Sequence, residues 1–138
     1  MRLEIHERDR EGVTVLDLNG RLTVGDEVSR FREYMQKLIT SGRTSIILNL
    51  EQVDYVDSTG LGALVMCYTT LQRAGGQVKL LNLSRRSIQL LVMTKLTTIF
   101  EVFDDEQNAI NSFFPDREIK RFDILSFVKA HEQDQDQE

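Results

Sequence analysis

The chain has 138 residues, 41% of them hydrophobic and 28% charged, with a single cysteine and a formal charge of −5. Those proportions describe one ordinary globular domain that buries a real core, and nothing in them requires a second. The acidic balance argues against a nucleic-acid footprint, no apolar stretch approaches the ~20 residues that span a bilayer, and the charged opening Met1 to Glu7 lacks a signal peptide's apolar centre.

In chain order, Arg2 to Glu7 alternates Leu3 and Ile5 with charged neighbours, and Val13, Val15 and Leu16 to Leu18 follow Glu11-Gly12; these two runs predict an antiparallel hairpin. Gly25-Asp26 opens a helix with Val28, Phe31, Met35, Leu38 and Ile39 on one face, ended by Ser41-Gly42. A near-continuous apolar run from Thr44 to Leu50 reads as a strand covered on both faces. A helix carrying Leu61, Leu64, Val65, Tyr68 and Leu71 follows and stops at Gly75-Gly76. Val78 to Leu83 makes another strand, Ser84 caps a helix bearing Ile88, Leu91, Val92 and Leu96, Thr98 to Phe103 is a last short strand, and Asp104 to Phe113 a closing helix. Strands alternating with helices predict an α/β domain with a mixed, mainly parallel sheet.

Asp57-Ser58-Thr59-Gly60-Leu61-Gly62 carries the chemistry. Ser58 falls at or next to a helix N-cap, beside amides that lack intrahelical partners, so its hydroxyl is exposed and modifiable. Asp, Ser and Thr are ordinary caps, but Gly60 and Gly62 each cost about 1 kcal/mol in a first helical turn. Their presence predicts close approach by another molecule. The run is neither a phosphate-binding loop, since no Gly-Lys-Ser/Thr follows, nor a Gly-x-Ser-x-Gly elbow.

The run Ile46-Leu48-Leu50, Val53-Asp54-Tyr55-Val56-Asp57-Ser58-Thr59-Gly60-Leu61-Gly62, then Arg73-Ala74-Gly75-Gly76 and Leu80-Leu81-Asn82-Leu83, closely resembles the bacterial anti-sigma factor antagonists, the STAS-domain proteins. The resemblance extends from about Leu3 to about Phe113, taking in Asn19-Gly20-Arg21-Leu22 and Phe100-Glu101-Val102-Phe103. It implies a STAS-type single domain over residues 1–114 with no catalytic activity and no cofactor. It further implies that Ser58 is phosphorylated by a partner serine kinase that is also an anti-sigma factor, with Thr59 as the alternative acceptor, and that a PP2C-type phosphatase reverses the step. Asp54, Asp57, Ser58, Thr59, Gly60, Leu61 and Gly62 then form the partner-binding surface. Neither nucleic acid nor membrane is expected as a partner, the location is cytoplasmic, and a homodimer is left open. The alternative role is a signalling or scaffold module that regulates a kinase-like partner with a target other than a sigma factor.

Residues 115–138 have no counterpart in that pattern. Ile119, Phe122, Leu125 and Val128 recur at helical spacing, which predicts an amphipathic helix over 117–130 lying back on its own domain, before a disordered polar tail. The other constellations carry little. His6 and His131 sit on a strand and in the tail, which suits neither metal ligation nor the general base a serine hydrolase needs. Asp54 and Asp57 read as loop and helix-terminus carboxylates before they read as cation ligands. Cys67, Met35, Met66 and Met93 read as core filler.

Overall fold

The computed structural model describes residues 3–120, 123, 124 and 126–128. β1 (Glu4–Arg10) and β2 (Val13–Leu22) pair antiparallel around Glu11-Gly12, whose φ angles are both positive. α1 (Asp26–Thr40), β3 (Ser45–Val56), α2 (Ser58–Arg73), β4 (Gln77–Leu81), α3 (Arg85–Met93), a 3₁₀ turn (Leu96–Thr98), β5 (Val102–Phe103) and α4 (Glu106–Asn111) follow. The strands lie side by side in sequence order, and every pairing after β1–β2 is parallel. This is the expected α/β domain with a mainly parallel sheet and packed helices.

The apolar run of β3 is explained by burial on both faces. Ile46, Leu48 and Leu50 join the larger core with Val28, Phe31 and Met35 of α1 and Leu61, Leu64 and Leu71 of α2. Ile47 faces the other way, into a smaller core with Val13, Val15, Leu81, Phe103 and the α4 residues Ala109 and Ile110. A strand with period-two side chains must be apolar throughout when both faces are covered.

The element boundaries differ from the sequence reading at several places; β4 ends at Leu81 rather than Leu83, and the closing helix is only Glu106–Asn111. β3 does not end at Leu50 but continues to Val56, because β2 runs on to Leu22 and keeps it company: Gly20 pairs with Val53, Arg21 with Tyr55 and Leu22 with Val56, after register shifts. The helix expected to reach Leu96 stops at Met93, since Lys95 takes a left-handed φ of 61°. The strand expected over Thr98 to Phe103 is only Val102–Phe103; Thr98 ends the 3₁₀ turn and Ile99 to Glu101 connect the two.

The C-terminal extension also differs from expectation. Arg117 to Lys120 are not helical; a helical turn begins only after Asp123, whose side chain accepts from the Ser126 N–H at 3.1 Å while its carbonyl accepts from Phe127 N–H at 3.1 Å. Ile124 packs against the larger core. Phe122, Leu125 and residues 129–138, named in the sequence reading, lie outside the described residues.

Candidate functional site

In a parallel sheet the strand-to-helix junctions gather at the C-terminal ends of the strands, where helix N-termini present unpaired amides. The junction between β3 and α2 is one residue long. Asp57, in extended conformation with φ −90°, is the N-cap of α2, so Ser58 and Thr59 occupy the first two helical positions. One carboxylate oxygen of Asp57 accepts from Gly60 N–H at 2.8 Å, and the other accepts from Val24 N–H in the β2–α1 loop at 2.9 Å. Its own N–H donates to the Leu22 carbonyl at 3.3 Å. Asp57 thus ties the end of β2, the following loop and the start of α2 into one unit. The Val24 amide first, then that of Gly60, holds its carboxyl below the usual carboxylate range.

Ser58 and Thr59 are exposed, and among the described residues nothing is hydrogen-bonded to either hydroxyl. The cap role falls to Asp57, which leaves the Ser58 hydroxyl free for chemistry. Asp54 does not lie in a loop, as the sequence reading had it; it is an exposed residue of β3, a consequence of the longer strand. Leu61 is 9% exposed and belongs to the core, so its side chain holds α2 down.

The two glycines separate. A Cβ on Gly60 would stand 1.9 Å from the Leu22 carbonyl oxygen, whereas one on Gly62 meets nothing within 4 Å. The expectation that both mark the approach of another molecule is therefore corrected for Gly60, which is required by the chain's own β2. Gly62 stays exposed on the outer face of α2.

That face holds what the sequence reading missed. From Ser58 to Gln72, α2 contains no charged residue. Ser58, Gly62 and Met66, spaced four apart and so stacked on one side of the helix, are all exposed, Met66 at 51%. Val24, pinned beside the junction by Asp57, is 67% exposed. Met66 and Met93, at 80%, are thus not core filler, and only Met35 of the three is buried. The available signal was the missing charge, because a solvent-facing helix side ordinarily carries Lys, Glu or Arg. Methionine suits an adaptable contact surface. Beyond the junction, Arg86 at the start of α3 lies over the exposed Tyr55 ring, 5.7 Å from its centroid, which places α3 beside the end of β3.

Cys67 on the opposite side of α2 is inert, burial pushing its thiol up to about 12. Among the described residues no group of three His, Cys, Asp or Glu side chains converges to hold a metal ion, and no helix is long and apolar enough to cross a membrane.

The family model of the STAS domain matches residues 4–109. The chain is 30% identical over 110 residues to the anti-sigma-B factor antagonist of Bacillus subtilis, a match covering 80% of this chain and 99% of that one. Among solved structures, the anti-sigma factor antagonist SpoIIAA in its unphosphorylated form is 25% identical with a TM-score of 0.61, over 82% of this chain and 98% of that one. The Bacillus cell fate determinant SpoIIAA in the phosphorylated form has the same fold, at 24% identity and a TM-score of 0.63 over 80% and 98% of the two chains.

Proposed function

Because this chain belongs to the STAS domain family, we propose that it is an anti-sigma factor antagonist acting by partner switching. With Ser58 unmodified it captures a serine kinase that doubles as an anti-sigma factor, freeing a sigma factor; phosphorylation of Ser58 by that kinase releases it, and a PP2C-type phosphatase resets it. The observation that carries this reading is the Ser58 hydroxyl, exposed and without a hydrogen-bond partner among the described residues, at the head of an uncharged helix face. The relatives named as antagonists, and a relative solved in both phosphorylation states, support it.

The physics favours a switch at the interface rather than in the fold. A phosphoserine brings about −1.5 to −2 charge, and a helix N-terminus stabilises an anion by up to ~2 kcal/mol. Here Asp57 already holds the Gly60 amide. A carboxylate about 6 Å away opposes the phosphate by roughly 3 kcal/mol per unit charge at an effective dielectric of about 20. The two terms are of similar size, so the domain stands either way. A partner that covers the α2 face, however, would bury an uncompensated dianion, at a cost of several kcal/mol or on the order of a thousandfold in affinity.

The test is incubation with the kinase that co-purifies with the chain, plus ATP, followed by mass spectrometry. One phosphate on Ser58, and a captured kinase that itself holds a sigma factor, is the expected result. Phosphate on Thr59, or stoichiometric modification of Ser58→Ala, would overturn the acceptor assignment.

A further inference from the structure

The sheet divides on its C-terminal side. β3 pairs with β4 only as far as Asn49 opposite Leu81, and beyond that point it follows β2 to Val56. β4 ends there, and Asn82, with a left-handed φ of 58°, turns the chain toward Ser84, the N-cap of α3. β5 stays with β4, the Asn82 N–H donating to the Phe103 carbonyl at 2.9 Å. The parting strands leave a groove of about 390 Å³, at the low end of the range for small-molecule pockets. It lies on the carboxyl side of the parallel strands, the side on which open α/β sheets take their ligands.

The wall of the groove is apolar: Leu83, Ile88, Val102, Phe103 and, from the extension beyond the family match, Phe127. Its charge is of one sign. Glu51 and Asp104 line it, both exposed, and no Lys, Arg or His is among the described residues that do. Among the described residues neither carboxylate belongs to an ion pair, whereas those of Glu7, Glu11, Asp17, Glu101 and Glu106 all do.

The neighbouring polar groups are already engaged within the chain. Asn49 Oδ1 accepts from the Glu51 N–H and from Asn82 Nδ2, each at 3.3 Å, and Asn82 Nδ2 stands 3.5 Å from Glu51 Oε2. The Ser84 hydroxyl oxygen accepts from the Ser87 N–H at 3.1 Å. What remains for a ligand is an apolar wall beside two carboxylates without a counter-charge. An anion would be repelled by both, and a wholly apolar ligand would cover them uncompensated.

We propose that the groove binds a small organic cation, an ammonium carried on an apolar or aromatic body, with its charge beside Glu51 and Asp104 and its body against Leu83, Ile88, Val102, Phe103 and Phe127. The chain's formal charge of −5 adds a long-range attraction for a ligand of that sign. Since Phe127 lies outside the matched residues 4–109, the complete site belongs to this chain rather than to the family pattern. The inference does not depend on the phosphorylation reading, and it is tested on the chain alone.

The experiment titrates phenethylamine into the isotope-labelled full chain and follows amide chemical shifts, with phenethyl alcohol and hydrocinnamate as neutral and anionic probes of similar shape. The amine should shift the amides of Asn82, Leu83, Ser84 and Asp104 saturably and bind about tenfold more tightly than the alcohol, with hydrocinnamate weaker still. The Glu51→Gln/Asp104→Asn double variant, its folding confirmed by thermal melting, should bind amine and alcohol equally. Phe127→Ala should weaken both alike. Equal affinities for the three probes, a double variant that still prefers the amine, shifts centred elsewhere on the domain, or no saturable shift at all would overturn the proposal. So would a Phe127→Ala variant that binds the amine as well as the parent or better, which would show that ring to be the groove's own occupant or no part of the site.

Discussion

The carbonyl oxygen of Leu22 stands 1.9 Å from the point a Cβ on Gly60 would occupy. The same oxygen accepts from Asp57 N–H at 3.3 Å, so the end of β2 and the first turn of α2 meet backbone to backbone. No side chain fits between them, and the N-terminus of α2, with Ser58 on it, is held by contacts that leave little freedom.

The two glycines should therefore respond oppositely to alanine. Gly60→Ala drives a methyl group into backbone and should destabilise the domain by about 1–3 kcal/mol. Gly62→Ala adds a methyl group in open space on a helix and should stabilise it by about 0.5–1 kcal/mol. Denaturant unfolding of both variants measures this, and equal effects would contradict the close approach. If the α2 face is the docking surface, Gly62→Ala should also weaken capture of the kinase although the fold is more stable.

For Ser58 the charge itself is the variable. Ser58→Asp should weaken binding of the kinase by at least ~1.4 kcal/mol, a tenfold change, relative to Ser58→Ala. Both variants should melt within a few degrees of the unmodified chain, since Asp57 and not Ser58 is the cap. Equal affinities in a calorimetric titration would remove the electrostatic basis of the proposed switch.

Asp57 joins two segments, so its variants separate two roles. Asp57→Asn keeps an oxygen for the Gly60 N–H but loses the second acceptor for Val24, while Asp57→Ala loses both bonds. Loss of an N-cap costs about 0.5–2 kcal/mol, with Asn nearly as good as Asp. Asp57→Asn should thus stay close to the parent in stability, yet exchange its Val24 amide proton faster; Asp57→Ala should lose about 1 kcal/mol as well. Unchanged Val24 exchange in both would show that the carboxylate does not hold the loop.

A pH-dependent clasp lies on the other side of the sheet. Arg8 makes paired hydrogen bonds to Asp17 on β2, at 2.7 and 3.0 Å, and reaches Glu106 of α4 at 2.5 and 3.2 Å, where Arg10 also binds. Burial pushes the Asp17 carboxyl up, but the bonds from Arg8 and Asn49 outweigh it and leave it lowered; for Glu106 the bond from Arg8 is the largest influence and lowers it. Folded carboxyls that titrate below their unfolded values of 3.8 and 4.5 add stability above those values and lose it as pH falls through the folded ones. Arg8→Ala should cost about 1–2 kcal/mol at neutral pH and flatten the fall in Tm below about pH 4.5. An unaltered acid limb in that variant would exclude the clasp as its source.

The β3 run Ile46 to Leu50, the stripe of α1 and the Ser84 cap of α3 were legible in the sequence, because each depends on a local period or a cap whose partner lies three residues away. The Asp57–Gly62 motif was legible for the same reason: a cap signal followed by an apolar helix needs no knowledge of the rest of the chain. Whether β3 stopped at Leu50 or ran to Val56 depended instead on how far β2, some thirty residues earlier, went on pairing with it. The meaning of Gly60 depended on Leu22, brought near only by the parallel crossover through α1. Which distant segment Asp57 would tie to α2 depended on the position of the Val24 amide, and Met66 is exposed because, among the described residues, no element covers that side of α2. Period and capping are short-range and are written residue by residue, whereas a close approach or an uncovered face is a property of two segments distant in sequence. The sequence alone determined that Ser58 would stand at a helix start; tertiary packing decided that its hydroxyl would be left free there.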